Sequence, residues 1–173
     1  PQGEPASLLA RLALPLSWRV IVAQDVQRRG LSGAAERDAI AALPAFAQAQ
    51  AAHVCHEVLM RVLPGAAGAD FAAFAAGVNR VQALLGEHFA PAQDGSAWSS
   101  AAVGRALTWM REAAGEAIAI GQSSWGPTGF AFVPSLAAAT ALIERAQAAG
   151  VVGAGLRIDC VAGRNRGAVV TPR

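Results

Sequence analysis

Ala117-Ile118-Ala119-Ile120-Gly121-Gln122-Ser123-Ser124-Trp125-Gly126-Pro127-Thr128-Gly129-Phe130-Ala131-Phe132-Val133 decides the reading of this chain. Its apolar ends, residues 117–120 and 130–133, read as two strands. A plain hairpin needs about two to five turn residues, and the connection from Gly121 to Gly129 is longer and chemically richer. Its glycines let a backbone approach a ligand closely, and successive N–H groups can form an anion-binding concavity. Ser123, Ser124 and Thr128 add hydroxyls, and the Trp125 indole adds a flat face for an aromatic ring. The same residues also fit an irregular turn with Trp125 folded onto the core.

Working outward, residues 18–23 form a β-rich run that ends in the polar loop around Arg28-Arg29-Gly30. Ser32 or Gly33 caps a helix through Leu43, with Glu36 near its positive end. Apolar residues at helical spacing give a second helix over 45–63, stopped by Pro64-Gly65. A third is capped by Asp70 and runs to Gly86, and a fourth begins at Ser96 or Ser99. After the quoted stretch come a helix over 135–149, a strand over 156–161, a turn at Gly163–Gly167 and a short strand at 168–170. Strands flanking a helical insertion predict an α+β fold, one antiparallel sheet with helices on one face.

Two motifs carry a family resemblance. Residues 121–133, GQSSWGPTGFAFV, resemble the C-terminal signature of β-ribofuranosylaminobenzene 5′-phosphate synthases. That family is a branch of the GHMP-kinase-like superfamily, found in methanogenic archaea and in methylotrophic bacteria that make tetrahydromethanopterin. Residues 16–23, LSWRVIVA, with 28–36, RRGLSGAAE, look like the family's strand and its Gly-Leu-Ser-Gly-x-x-Glu loop. The resemblance runs from about Pro15 to the end, and the helical middle matches only in pattern. It implies the ferredoxin-like C-terminal domain of a GHMP-kinase-type protein over 16–173, preceded by a linker over 1–15. Because the chain starts at Pro1 without a signal-like segment, it reads as part of a longer protein. An N-terminal half would then supply the other glycine-rich loop and much of the active site.

Composition narrows the function classes. The 173 residues suit one domain with a sizeable core. All fourteen basic residues are arginine, which excludes a lysine base or Schiff base in this segment. The formal charge of +2 is scattered rather than striped, so a nucleic-acid partner has no support. No apolar run reaches the roughly 20 residues of a membrane span. Cys55 and Cys160 form neither a disulfide framework nor a zinc site, which fits a reducing cytoplasm.

Several residues admit two readings. His53 and His56, with Cys55 and Glu57, have a spacing that puts two ligands on one helix face, yet no third ligand is visible nearby, so the simpler reading is a polar stripe. Glu112 and Glu116 are either an acid–base pair or solvated surface. Arg164 and Arg166, within a glycine-bounded turn, are either a phosphate clamp or a hairpin tip. Arg28 and Arg29, just ahead of a helix N-terminus, are either an anion cradle or solvated loop residues.

The reaction implied by the resemblance joins 4-aminobenzoate to phosphoribosyl pyrophosphate and releases carbon dioxide and pyrophosphate. It needs Mg2+ with the pyrophosphate and no covalent protein nucleophile; the catalytic groups stay unassigned. Carried from the motif, Ser123, Ser124, Gly126 and Thr128 contact phosphate or ribose, Gln122 orients a polar group, and Trp125 packs on the ring. Arg28, Arg29 and Arg164 join this substrate-binding set. The N-terminal half of the same protein is the implied partner, and a homodimer is left open. The alternative is a GHMP-type ATP-dependent small-molecule kinase, although Trp125 and Pro127 make the loop bulkier and stiffer than a glycine- and alanine-rich phosphoryl loop. A non-catalytic interaction domain is the third reading.

Overall fold

A computed structural model describes residues 7–115 and 117–171. Four strands form one antiparallel sheet: β1 (Arg19–Asp25), β2 (Ala119–Gln122), β3 (Thr128–Val133) and β4 (Leu156–Ala162), in the spatial order β2-β3-β1-β4. Between β1 and β2 lie α1 (Ala34–Ala42), α2 (Gln48–Glu57), α3 (Leu63–Ala67), α4 (Phe71–Phe89) and α5 (Ala101–Ala113). Between β3 and β4 lies α6 (Leu136–Ala148). With α5 and α6 as its two helices, this is the ferredoxin-like order, and α1 to α4 are the helical insertion.

The strands reach past the apolar runs because the ladder recruits polar ends; β2 keeps four residues but starts at Ala119, two later than its apolar run. Gln122 pairs with Gly129, Gln24 with Thr128, and Asp25 with Leu156. The connection between β2 and β3 therefore shrinks to Ser123–Pro127, within the ordinary hairpin range. Its length is unexceptional after all, and the case for a site rests on what the loop touches.

Alternation along the strands sorts the core. Ile21, Ala23, Ile120, Ala131 and Val133 face α5 and α6, where Val103, Leu107, Met110, Ala139, Leu142 and Ala146 complete a buried cluster. Phe132, on the other face, meets Phe74 edge-on and packs against a smaller cluster in which Phe74 touches Trp18 and Ala66 of α3 joins them.

The insertion's longest helix closes a sheet edge. From α4, Asn79 donates to the Ile118 carbonyl (2.8 Å) and accepts from the Ile120 N–H (2.9 Å), while Gln82 accepts from the Gln122 N–H (3.0 Å). Side-chain amides thus substitute for a fifth strand along β2 and blunt an edge open to foreign pairing.

Local differences from the sequence reading have physical causes. Pro64 does not stop the second helix. A π-helical turn over Val58–Val62 widens the ladder ahead of the proline, which relieves the ring clash and the missing N–H, so the helix continues as α3. The cap of α5 is Ser100 rather than Ser96 or Ser99, because its Oγ both accepts from the Val103 N–H and donates to Asp25 Oδ2 (2.7 Å). No strand forms at 168–170. Beyond β4 the chain is held by Asn165, whose amide donates to the Leu14 carbonyl (2.8 Å) and accepts from the Leu14 N–H (2.9 Å).

Candidate functional site

At the end of the sheet marked by Asp25, the loop after β1 meets the loop between β2 and β3. Gly30 lies against the Gly126 carbonyl so closely that any Cβ on Gly30 would collide with that oxygen. The Asp25 N–H also donates to the Pro127 carbonyl (3.3 Å). Gly126 has φ 63° and the Gly126-Pro127 peptide is cis. Only glycine accepts that φ easily, and a Cβ there would also run into Ser99 Oγ. Two motifs about a hundred residues apart in sequence thus form one surface, with Arg28 and Arg29 exposed beside it.

Asp25 anchors this end. Its carboxylate is buried and accepts from the Gln27 N–H (3.0 Å) and from the Ser100 hydroxyl, so the β1 loop is tied to the start of α5. Both carboxylate oxygens are committed to protein donors. The bound Asp25 therefore has little to offer a cation.

The residues expected to bind substrate separate into groups. Ser123 and Ser124 are exposed on the hairpin, and Ser124 has φ 51°. Trp125 is 7% exposed and meets Phe89 of α4 edge-on, with ring centroids 5.1 Å apart. Gln122 serves the protein: its Oε1 accepts from the Ser99 N–H (2.7 Å), and its Nε2 donates to Gln93 Oε1 (2.7 Å) and to the Ser124 carbonyl (3.0 Å). Thr128 alternates with Phe130 and Phe132, which turns its side chain to the face away from α5.

Arg164 is not brought to this surface. It follows β4, whose Ala162 pairs with Arg19 at the opposite end of β1 from Asp25. At ~3.3 Å per residue that is about 20 Å from the hairpin. Arg166 follows it there. Glu112 is exposed on the last turn of α5, away from the hairpin, and Glu116 lies outside the described residues. His53 and His56 are exposed on α2 with Glu57, which pairs with Arg61 at 3.3 Å. Among the described residues no three His, Cys, Asp or Glu side chains converge on a common point.

Behind Trp125 lies a cavity of about 340 Å³ between α4, α5 and β2. Trp125, Phe89 and Trp98 supply aromatic surface, and Gln82, Thr108 and Arg111 supply polar groups. None of these partners of Trp125 was singled out from the sequence. The signal was present on α4: Asn79, Gln82, Gly86 and Phe89 recur at helical spacing, an amide-bearing stripe on a face that ought to be apolar.

This arrangement is a GHMP-kinase-type fold, with its glycine loop at the end of a ferredoxin-like sheet. A solved structure of that type, homoserine kinase from Cytophaga hutchinsonii ATCC 33406, superposes with a TM-score of 0.51 at 20% identity. The alignment covers 90% of this chain and 44% of the kinase, so the chain spans less than half the length of that protein. No family model matches the chain, and no curated protein matches it. Among the described residues no helix is long and apolar enough to cross a membrane.

Proposed function

We propose that this chain is the C-terminal part of an enzyme that condenses 4-aminobenzoate with phosphoribosyl pyrophosphate, as in tetrahydromethanopterin biosynthesis. The observation that carries this reading is the seating of Gly30 against Gly126, which unites the two motifs of the resemblance in one surface beside Arg28 and Arg29. Exposed hydroxyls of Ser123 and Ser124 and two guanidinium groups suit a phosphorylated sugar.

In this reaction the ring carbon bearing the carboxylate attacks the anomeric carbon as its bond to pyrophosphate breaks. Pyrophosphate leaves with that electron pair, and loss of carbon dioxide returns the carboxyl bond's electrons to the ring. No proton need be removed from the attacking carbon, which fits a loop of hydroxyls and glycines without a general base. The protein's part is orientation, charge stabilisation and exclusion of water. Magnesium belongs to this chemistry as a companion of the pyrophosphate substrate, since the nearby Asp25 is already committed. The partner half of the active site is assigned to an N-terminal region of the same protein.

The second reading is an ATP-dependent small-molecule kinase, favoured by the structural likeness to homoserine kinase. One experiment separates them. Full-length protein given carboxyl-labelled 4-aminobenzoate, phosphoribosyl pyrophosphate and magnesium is expected to release labelled carbon dioxide. ATP-dependent phosphorylation of a small alcohol, with no release of label, overturns the synthase reading.

A further inference from the structure

The two edges of the sheet are finished differently. At β2 the amides of Asn79 and Gln82 take the place of a neighbouring strand, whereas β4, at the other edge, pairs with β1 alone. β4 is seven residues long, and its ladder to β1 runs from Arg19↔Ala162 to Asp25↔Leu156 without a bulge. It contains no proline. Proteins usually shield a long edge with a bulge, a proline, unpaired charges or a covering segment, and among the described residues no strand pairs with the outer side of this one.

The charges on β4 do not guard it either. Arg157 and Asp159 are its only charged residues, and they pair with each other at 2.7 Å. Two apart in a strand, they share one face of the sheet. The edge therefore presents a positive group beside a negative one and carries no net charge to repel a copy of itself. Leu156 and Ile158 point to the other face, where they are only partly buried against the α5 and α6 core.

A two-fold antiparallel pairing sets one residue opposite its own copy, and that choice fixes every other pair. Centred on Asp159, it puts two carboxylates together; centred on Arg157, two guanidinium groups. Centred on Cys160, it sets Arg157 opposite Gly163 and Asp159 opposite Val161, so neither charge is answered. Centred on Ile158, it sets Arg157 opposite the second copy's Asp159 and Asp159 opposite the second copy's Arg157. With the pair inside each strand, the result is a square of four alternating charges, and opposite charges across a strand pair are favourable. On the helix side the same register lays Ile158 against Ile158 and Leu156 against Cys160, adding apolar contact.

We infer that β4 is a self-pairing edge, through which two copies of this chain join in the register centred on Ile158. Two four-stranded sheets then become one continuous sheet in the order β2-β3-β1-β4-β4-β1-β3-β2. Because the joined strands are antiparallel, the Gly30 and Gly126 surfaces of the two copies lie at opposite ends of that sheet. The inference is independent of whether the enzyme is a synthase or a kinase.

The test is sedimentation velocity on the full-length protein at micromolar concentration, where the parent is expected to be a dimer. Arg157→Asp places Asp opposite Asp, and Asp159→Arg places Arg opposite Arg. Each alone should raise the dimer dissociation constant about tenfold or more. Mixed in equal amounts, the two variants restore opposite charges across the interface and should associate with each other. The protein carrying both substitutions should pair with itself as the parent does, and these two rescues also show that the single variants are folded.

A parent that stays monomeric up to about 100 μM overturns the self-pairing edge. So does a dimer that keeps its affinity in both single variants, since the contact then lies elsewhere. Variants whose association returns neither on mixing nor in the double exchange overturn the register. A monomeric protein whose β4 takes up a different extended segment assigns the edge to another occupant.

Discussion

Gly30 sits against the carbonyl oxygen of Gly126, and the space between them excludes even a methyl group. The obstacle is backbone, which no rotamer change can move aside. Gly30→Ala must therefore push the two loops apart. The expected cost is about 1–3 kcal/mol, typical of overpacking at a tight site, read from urea denaturation. Affinity for phosphoribosyl pyrophosphate should fall in the fraction that remains folded. Wild-type stability in this variant would show that the loops separate freely.

Arg28 and Arg29 are exposed and hold no structural bond to a described residue. Replacing either with alanine should leave the melting temperature nearly unchanged. If one meets a substrate phosphate, its loss weakens binding by about 1.5–3 kcal/mol, the scale of a charge-assisted hydrogen bond. Calorimetric titration with phosphoribosyl pyrophosphate measures this, and equal affinities in both variants assign the pair to surface.

Trp125 combines two roles that the sequence left as alternatives. It is nearly buried and packed edge-on against Phe89, and it also walls the cavity. Trp125→Ala is expected to destabilise the fold by about 3–5 kcal/mol, the usual cost of removing a buried aromatic. Trp125→Phe should recover much of the stability and ring affinity because a flat apolar face remains. A Trp125→Ala protein that melts like the parent contradicts the packing role.

Asn79 holds the edge of β2 through both ends of its amide. Asn79→Ala leaves the Ile118 carbonyl and the Ile120 N–H without their partners, and the expected penalty is about 2–4 kcal/mol. Asn79→Asp keeps the acceptor for Ile120 but loses the donor for Ile118, so it should be intermediate near neutral pH only if charge burial does not outweigh the retained bond. Amide exchange at Ile120 gives a local reading, with faster exchange expected in the alanine variant. Unchanged protection there would remove Asn79 from the edge.

Ser100 links the cap of α5 to the buried carboxylate of Asp25. Ser100→Ala removes both contacts and leaves one carboxylate oxygen without its hydroxyl donor. A loss of about 1–3 kcal/mol is expected, read by thermal and urea unfolding. Ser99→Ala, one residue earlier, lacks these bonds and should cost less.

The order of strands and helices was legible because alternation and helical spacing are local properties of the chain. Residues 130–133, the Asp70 cap and the apolar stripe of α4 all announced themselves in this way, and the GQSSWGPTGF stretch marked the loop that the fold places at the sheet end. The tertiary structure decided what depends on several segments at once. The cap of α5 moved from the expected Ser96 or Ser99 to Ser100, which Asp25 at the end of β1 holds directly, and Pro64 stays within a continuous helical segment because a π turn precedes it. Arg164 looked like a companion of the hairpin but is separated from it by the length of β4, since antiparallel pairing sends that strand to the other end. The cavity walls were hidden for the same reason. Phe89, Trp98 and Trp125 each read as an isolated aromatic until packing of α4 and α5 against β2 brought them together, because a pocket is a property of distances between segments and local spacing carries no record of them.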